Sequence, residues 1–179
     1  FLNRSDPKGI LALLGGSVTF SIGGYNNNNI LDIRNTSYSS YFYNYSSNDY
    51  KKNKQEDSYI KFDFGLNKVV LHSYLIYSNT GAMNQYYHPK TWRIEGSNDD
   101  SNWILIDKRE NDNNLNGPKK EILFRCEERK YEDSTEGFRF IRYFQSDSWY
   151  DQMAEAYHNP FNIYITFFEL FGDVYHFTE

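Results

Sequence analysis

Short windows in which apolar and polar residues alternate one for one constrain the fold of this chain more than any other sequence feature. Residues 59–64 give the clearest case, because Ile60, Phe62 and Phe64 all fall on one face. Side chains of a β-strand point alternately to its two faces, so such a window predicts a strand with one buried side. Residues 92–95 alternate in the same way.

Eight strands are predicted from alternation or from compact apolar runs bounded by turn-forming residues. They cover residues 18–22, 59–64, 69–77, 92–95, 103–106, 121–126, 138–144 and 163–171. Residues 69–77 are largely apolar on both faces and are predicted to form a central strand, and one short helical turn is expected at residues 8–14. Many short strands with turns at near-regular spacing predict an all-β fold, either a sandwich or a barrel.

The alternating windows also predict which side chains fill the core. The residues expected to be mostly buried are Ile60, Phe62, Phe64, Trp92, Ile94, Trp103 and Phe140. Trp92 and Trp103 flank the predicted turn at residues 96–102, and both are expected to pack in the core rather than to bind a ligand. Truncation of a buried aromatic side chain costs about 3–5 kcal/mol, and we expect this cost for Trp103→Ala.

The composition restricts the class of function. The 179 residues fit one domain, and the aromatic share of 19% favours strands, because Tyr and Phe pack well on half-buried pleated surfaces. The formal net charge of −5 disfavours binding to nucleic acid or to an anionic membrane surface. No apolar run is long enough to span a bilayer. The single cysteine, Cys126, excludes an intrachain disulfide.

The region of the predicted hairpin resembles a known family of binding domains. Residues 88–99, followed by Trp103, are similar to the central signature of the coagulation factor V/VIII C-type family, also called discoidin-like. Four further segments resemble the other motifs of this family in the same order: residues 31–38, 111–117, 138–142 and 168–172. The resemblance covers residues 16–173 and is weakest in the first of these segments.

The resemblance implies a galactose-binding-like jelly roll, a two-sheet antiparallel β-sandwich with ligand loops at one end. Members of the family bind glycans, phospholipids or proteins and have no catalytic role as modules. We therefore expect a lead-in with a short helix at residues 1–15, the sandwich at 16–173 and a tail at 174–179. The sequence looks most like the BTB-associated intracellular branch, since the terminal cysteine pair of secreted members is absent. A cytoplasmic location is expected, and a secreted or cell-surface location stays open.

The resemblance also marks two residues for calcium. Asp32 and Glu169 match positions where some members of the family coordinate this ion, which takes about six to eight oxygen ligands. Ile33 stands where the family has a glycine after the aspartate, and this departure argues against the site. In the alternative interpretation, Asp32 caps a turn and Glu169 pairs with an arginine such as Arg142.

Four predicted loops combine aromatic and amide side chains, and we expect the functional residues to lie in them. They are residues 25–29, 38–50, 80–87 and 146–162. Connections at one end of a sandwich cluster in space although they are remote in sequence. The expected ligand-binding rim consists of Tyr25, Tyr43, Tyr86 and Trp149, with Asn84 and Asn159 as polar contacts. Such a mixture suits the hydroxyls of a sugar, and it suits a protein partner equally.

The sequence gives no sign of catalysis. It contains no nucleophile elbow, no glycine-rich phosphate loop and no HExxH motif, and its four histidines lack the spacing of metal ligands. We therefore predict a non-catalytic binding module of a larger protein that needs no cofactor other than the calcium considered above. The main hypothesis is protein–protein recognition, as in a BTB-linked adaptor. The alternative is carbohydrate binding through the aromatic and amide loops.

Overall fold

The computed structural model describes residues 9–14, 19–23, 42–43, 59–78, 88–127, 137–149 and 163–176. This part of the chain forms one short helix and nine β-strands. They are α1 Ile10–Leu14, β1 Thr19–Gly23, β2 Phe42–Tyr43, β3 Tyr59–Asp63, β4 Asn67–Ser78, β5 His88–Ser97, β6 Ile104–Arg109, β7 Glu121–Arg125, β8 Phe140–Trp149 and β9 Tyr164–His176. In these described segments, no helix has the length and apolarity needed to cross a membrane.

The strands form two antiparallel sheets. The larger sheet has the order β1-β3-β8-β5-β6, and the smaller sheet has the order β2-β9-β4-β7. The predicted all-β sandwich is therefore confirmed, and β4 is a central strand as expected, because it pairs with both β9 and β7. The strand that the sequence does not indicate is β2, which falls inside the predicted loop at residues 38–50.

Aromatic residues from both sheets fill the space between them. Phe62 of β3 stacks on Phe168 of β9 with 5.7 Å between ring centroids, and Tyr74 of β4 stacks on the same ring at 6.1 Å. Trp92 of β5 meets Phe124 of β7 edge to face. Five predicted core residues are buried as expected: Ile60, Phe62, Phe64, Trp92 and Ile94. Alternation thus identifies the inward faces of β3 and β5 correctly.

The prediction that Trp103 is buried in the core is wrong. Its ring is only half-buried, and it stacks on the guanidinium of Arg142, whose Cζ lies 3.9 Å from the ring centroid. Ile141 belongs to the core cluster, so its neighbours Phe140 and Arg142 point to the outer face of the larger sheet. Phe140 is buried there because Arg139 covers its ring. Trp103 precedes β6, and strand alternation does not determine its direction.

Two strands continue beyond their predicted ends. β8 runs to Trp149, whereas the sequence predicts a loop from residue 146. β9 runs through Gly172 to His176, whereas the sequence predicts an end at this glycine. A Cβ at position 172 would overlap the carbonyl oxygen of Val70, and the ladder shifts register next to Leu71. Gly172 therefore marks a close approach of two strands at a bulge, and not the end of a strand.

The lead-in helix belongs to the sandwich. Ile10 and Leu11 of α1 are buried and are part of the main core cluster. The helix contacts β9, and Gly9 packs so closely on the side chain of Glu169 that a Cβ would overlap it. Ile10 and Leu11 thus contribute to the core of the sandwich.

A buried polar network joins the two sheets. Trp92 Nε1 donates to the hydroxyl of Tyr74 at 2.9 Å, and this hydroxyl donates to Asp107 Oδ2 at 2.6 Å. Asp107 is fully buried and also accepts from Arg109 Nε at 3.0 Å and from the backbone N–H of Glu127 at 3.1 Å. Burial, together with the neighbouring Asp107, raises the pKa of Tyr74 well above its usual value, so the phenol remains a donor.

Candidate functional site

The strand ends that border the predicted ligand loops lie together at one end of the sandwich. β8 ends at Trp149, opposite His88, the first residue of β5. β4 ends at Ser78, opposite Ile165 near the start of β9, and β3 begins opposite the last residue of β1. β6 ends and β7 begins at the same end, where residues 110–120 connect them. We call these strand ends and residues 110–120 the loop end.

Of the predicted rim residues, Trp149 has a side chain that the structure describes. The backbone of Tyr43 pairs with Tyr164 at the start of β9, which puts it at the loop end. The other four predicted members, Tyr25, Asn84, Tyr86 and Asn159, lie outside the described residues. The shared aromatic rim therefore stays a prediction, with Trp149 as the member whose contacts are known.

Trp149 is held in one orientation by contacts from two neighbouring segments. Its indole Nε1 donates to the backbone carbonyl of Asp112 at 2.9 Å. The ammonium of Lys90 lies 5.1 Å from the ring centroid and pairs with Asp147 Oδ2 at 2.7 Å. The tryptophan is only half-buried, so part of its surface is accessible. An aromatic ring that is already fixed loses little conformational entropy when a ligand packs on it.

The segment that carries Asp112 is itself anchored to the sandwich. The backbone N–H of Asp112 donates to the carbonyl of Lys90 at 2.9 Å, and that of Asn111 donates to Thr91 Oγ1 at 3.2 Å. Leu115 is fully buried in the core cluster. Asn111 has a φ of 51°, a left-handed conformation that asparagine tolerates better than most residues. Backbone hydrogen bonds and a buried side chain therefore anchor the segment that supports Trp149.

Two buried polar side chains lie beside Trp149. His88 is fully buried and Ser148 nearly so, and His88 faces Trp149 across the strand pair while Pro89 faces Ser148. Within the described residues, neither imidazole nitrogen of His88 nor Ser148 Oγ has a hydrogen-bond partner. Burial lowers the pKa of His88 to about 4, so its imidazole is neutral near pH 7.

Glu169 has a structural role in the described part of the chain. Its Oε1 accepts from the backbone N–H groups of Leu11 and Leu170, both at 2.8 Å, and its Oε2 accepts from that of Ala12 at 3.2 Å. Burial raises the pKa of this carboxyl above its usual value, while the three backbone donors oppose the rise. Glu169 thus satisfies backbone donors in the first turn of α1.

The structure tests one of the two interpretations of Glu169. Its expected pairing with Arg142 is wrong, because Arg142 Nε donates to Glu95 Oε2 at 2.6 Å on the outer face of the larger sheet. The calcium prediction is not tested, since Asp32 lies outside the described residues. Among the residues that the structure describes, no cluster of three or more His, Cys, Asp or Glu side chains could hold a metal ion.

Comparison with known proteins identifies the fold. The sequence matches no protein-family model and no curated protein. Its structure is similar to CpGH89CBM32-5 from Clostridium perfringens, solved in complex with GalNAc-β-1,3-galactose, with a TM-score of 0.58 and 8% identity over 88% of this chain and 96% of that one.

Two other solved structures give the same result. The CBM32 of AlyQ, in complex with 4,5-unsaturated mannuronic acid, has a TM-score of 0.53 and 12% identity over 86% of this chain and 93% of that one. Chitosan-binding module 1 from a chitosanase/glucanase of Paenibacillus sp. IK-5 has a TM-score of 0.51 and 13% identity over 89% and 98%. At these identities the likeness concerns the fold, and the BTB-associated branch stays a prediction. The chain has the galactose-binding-like β-sandwich fold that these carbohydrate-binding modules share.

Proposed function

We propose that this domain is a non-catalytic carbohydrate-binding module and that its loop end is the binding surface. The observation that carries the proposal is the rigid mounting of Trp149, whose indole is fixed by Asp112 and Lys90 while part of its surface stays accessible. An indole face presents aromatic surface on which the C–H face of a sugar ring can pack. The solved structures of similar fold include modules whose ligands are sugars, which supports the same class of ligand here.

The surroundings of Trp149 suit a polar ligand without a large net charge. Lys90 and Asp147 form an ion pair beside the ring, so their charges largely cancel. The carboxylate of Asp112 accepts from the backbone N–H of Asn114 at 2.7 Å and has further acceptor capacity. A ligand that packs on the indole therefore meets a hydrogen-bond donor, the ammonium of Lys90, within one side-chain length. It also meets hydrogen-bond acceptors there, the carboxylates of Asp112 and Asp147.

The experiment is a glycan-array screen of the intact domain, followed by titration of each hit with the Trp149→Ala variant. We expect saturable binding that falls at least tenfold in this variant, because the stacking surface is removed. Trp103→Ala is the matched control: Trp103 is also half-buried and also lies against a cation, but it is at the opposite end of β5. A hit that is retained by Trp149→Ala and lost in Trp103→Ala contradicts the proposed surface.

Protein–protein recognition, the main hypothesis from the sequence, predicts a different outcome. The array would then be negative for the wild-type domain. The comparisons favour the carbohydrate alternative, because two of the solved modules of similar fold are in complex with sugars and the third is a chitosan-binding module. A negative array would overturn the proposal and leave the protein partner as the hypothesis to pursue.

A further inference from the structure

Strand β7 forms one edge of the smaller sheet and carries an exposed leucine at its centre. It stands last in the strand order and, among the described strands, pairs with β4 alone. Its exposed side chains, those of Glu121, Leu123 and Arg125, alternate with Ile122 and Phe124, which pack on the core. The exposed three therefore lie together on the outer face of the sheet. Leu123 has 46% of its surface exposed, although it is the middle residue of a strand.

The backbone groups of the same three residues point away from β4. The N–H of Ser78 donates to the carbonyl of Lys120 at 2.8 Å, and the N–H of Cys126 donates to that of His72 at 3.0 Å. In an antiparallel pair, residues that bond to the neighbouring strand alternate with residues whose N–H and C=O point the other way. Because Lys120 and Cys126 face β4, the odd-numbered residues of β7 direct their backbone groups outward. Such a row of groups is a template for pairing with a further strand.

The order of the exposed side chains makes this edge complementary to itself. Antiparallel pairing of two copies of β7 about Leu123 brings the two leucines opposite each other. The same register brings Glu121 of each copy opposite Arg125 of the other. Opposite charges and apolar pairs directly across an antiparallel ladder are both stabilising. The carbonyl of Arg125 already accepts from the guanidinium of Arg109, and its second lone pair can accept from the partner strand.

The edge that β6 forms on the larger sheet has a different character. β6 carries Lys108, whose side chain is half exposed and pairs with Glu110. A lysine on an edge strand disfavours pairing with another chain, because its charge would have to be buried between the strands. The central residue of β7 is a leucine, which loses contact with water when a second strand pairs there. Of these two edges, β7 is therefore the one suited to association.

We propose that β7 is a dimer interface, in which two copies of this chain pair antiparallel about Leu123 and join their smaller sheets into one. Five residues from each copy bury less than the about 1,200 Å² of a standard interface, so the association is weak and depends on concentration. Since β7 begins at the loop end, antiparallel pairing directs the two loop ends to opposite sides of the dimer. The inference does not depend on the proposed function.

The test is analytical ultracentrifugation of the intact chain at concentrations from about 1 μM to 1 mM, a range that suits an interface of this size. The average mass of the wild type should rise reversibly towards that of a dimer. Leu123→Lys puts two ammonium groups opposite each other and should stay monomeric. Glu121→Arg and Arg125→Glu each put like charges opposite each other and should raise the dissociation constant about tenfold. The double variant restores opposite charges and should dimerise like the wild type.

Leu66→Lys is the matched control, because Leu66 is also an exposed leucine but lies between β3 and β4. It should dimerise like the wild type. A wild type that stays monomeric at every concentration contradicts the inference, and so does a Leu123→Lys variant that still dimerises. A double variant that stays as weak as the single variants contradicts the antiparallel register. Trp149→Ala should dimerise like the wild type, because Trp149 lies in the larger sheet, so the inference and the proposed function fail separately.

Discussion

At the scale of single residues, the three tryptophans have three different roles. Trp92 is buried between the sheets and its indole N–H is bonded to Tyr74. Trp103 lies half-buried on the outer face of the larger sheet against Arg142, and Trp149 lies at the loop end against Lys90. The role of each follows from what surrounds it, which the residue type alone does not specify.

This difference predicts different costs of truncation. Trp92→Ala removes a fully buried ring and should lower the free energy of unfolding by about 3–5 kcal/mol. Trp103→Ala removes a half-buried ring and its stacking on Arg142, and we expect about 1 kcal/mol. The latter value replaces the larger cost that the sequence suggests for Trp103. Urea denaturation of both variants measures the two costs, and equal losses would contradict the observed burial.

His88 makes a separate prediction about stability and pH. Its ordinary pKa of 6.5 applies to the unfolded chain, and burial lowers the pKa in the folded state to about 4. Between these values the unfolded state takes up a proton that the folded state does not bind, so stability falls as the pH is lowered from 6.5 to 4. The full effect is about 3 kcal/mol.

The measurement is the free energy of unfolding of the wild type and of His88→Leu at several pH values from 7 to 4. Above pH 6.5 the difference in the free energy of unfolding between the two proteins should be constant. Below pH 6.5 the variant should become increasingly more stable than the wild type in comparison with that constant. Glu169, whose raised pKa acts in the opposite direction, is common to both proteins and cancels in the difference. Parallel pH profiles would mean that His88 is not buried in its neutral form.

At the scale of elements, the alternating windows predict the strands well and their ends poorly. β3 and β5 are recognised from the inward apolar faces that pack against β4 and β9. Gly172 looks like a strand end in the sequence, yet it lies inside β9 because Val70 approaches its backbone. Local patterns report which face of a strand is buried, whereas the end of a strand depends on contacts with partners that are remote in sequence.

The network between β4, β5 and β6 gives a prediction at this scale. Tyr74→Phe removes the hydroxyl that joins Trp92 Nε1 to Asp107, and it leaves a buried donor and a buried carboxylate oxygen short of one bond each. We expect the free energy of unfolding to fall by about 1–3 kcal/mol. Tyr175→Phe, on the exposed end of β9, should be neutral in the same denaturation experiment. A neutral Tyr74→Phe would show that the network contributes nothing to the docking of the sheets.

At the scale of the whole molecule, the sequence predicts the sandwich and only part of its binding surface. The strand windows and the family resemblance both lead to the two-sheet fold, because burial of one strand face leaves a local pattern in the sequence. No pattern in the sequence marks Lys90 and Asp112 as site residues, since they contact Trp149 only after the chain has folded. Unpaired buried atoms such as those of His88 leave no sequence pattern at all.

The most direct test of the central claim is an NMR titration of the intact, isotope-labelled domain with a sugar that the array identifies. We predict the largest chemical-shift changes at the indole N–H of Trp149 and at the amides of Asp112 and Lys90, with little change in residues 97–102 at the opposite end of the sandwich. Shifts concentrated in residues 97–102 or around Trp103, with the Trp149 indole N–H unchanged, would contradict the assignment of the loop end as the carbohydrate-binding surface.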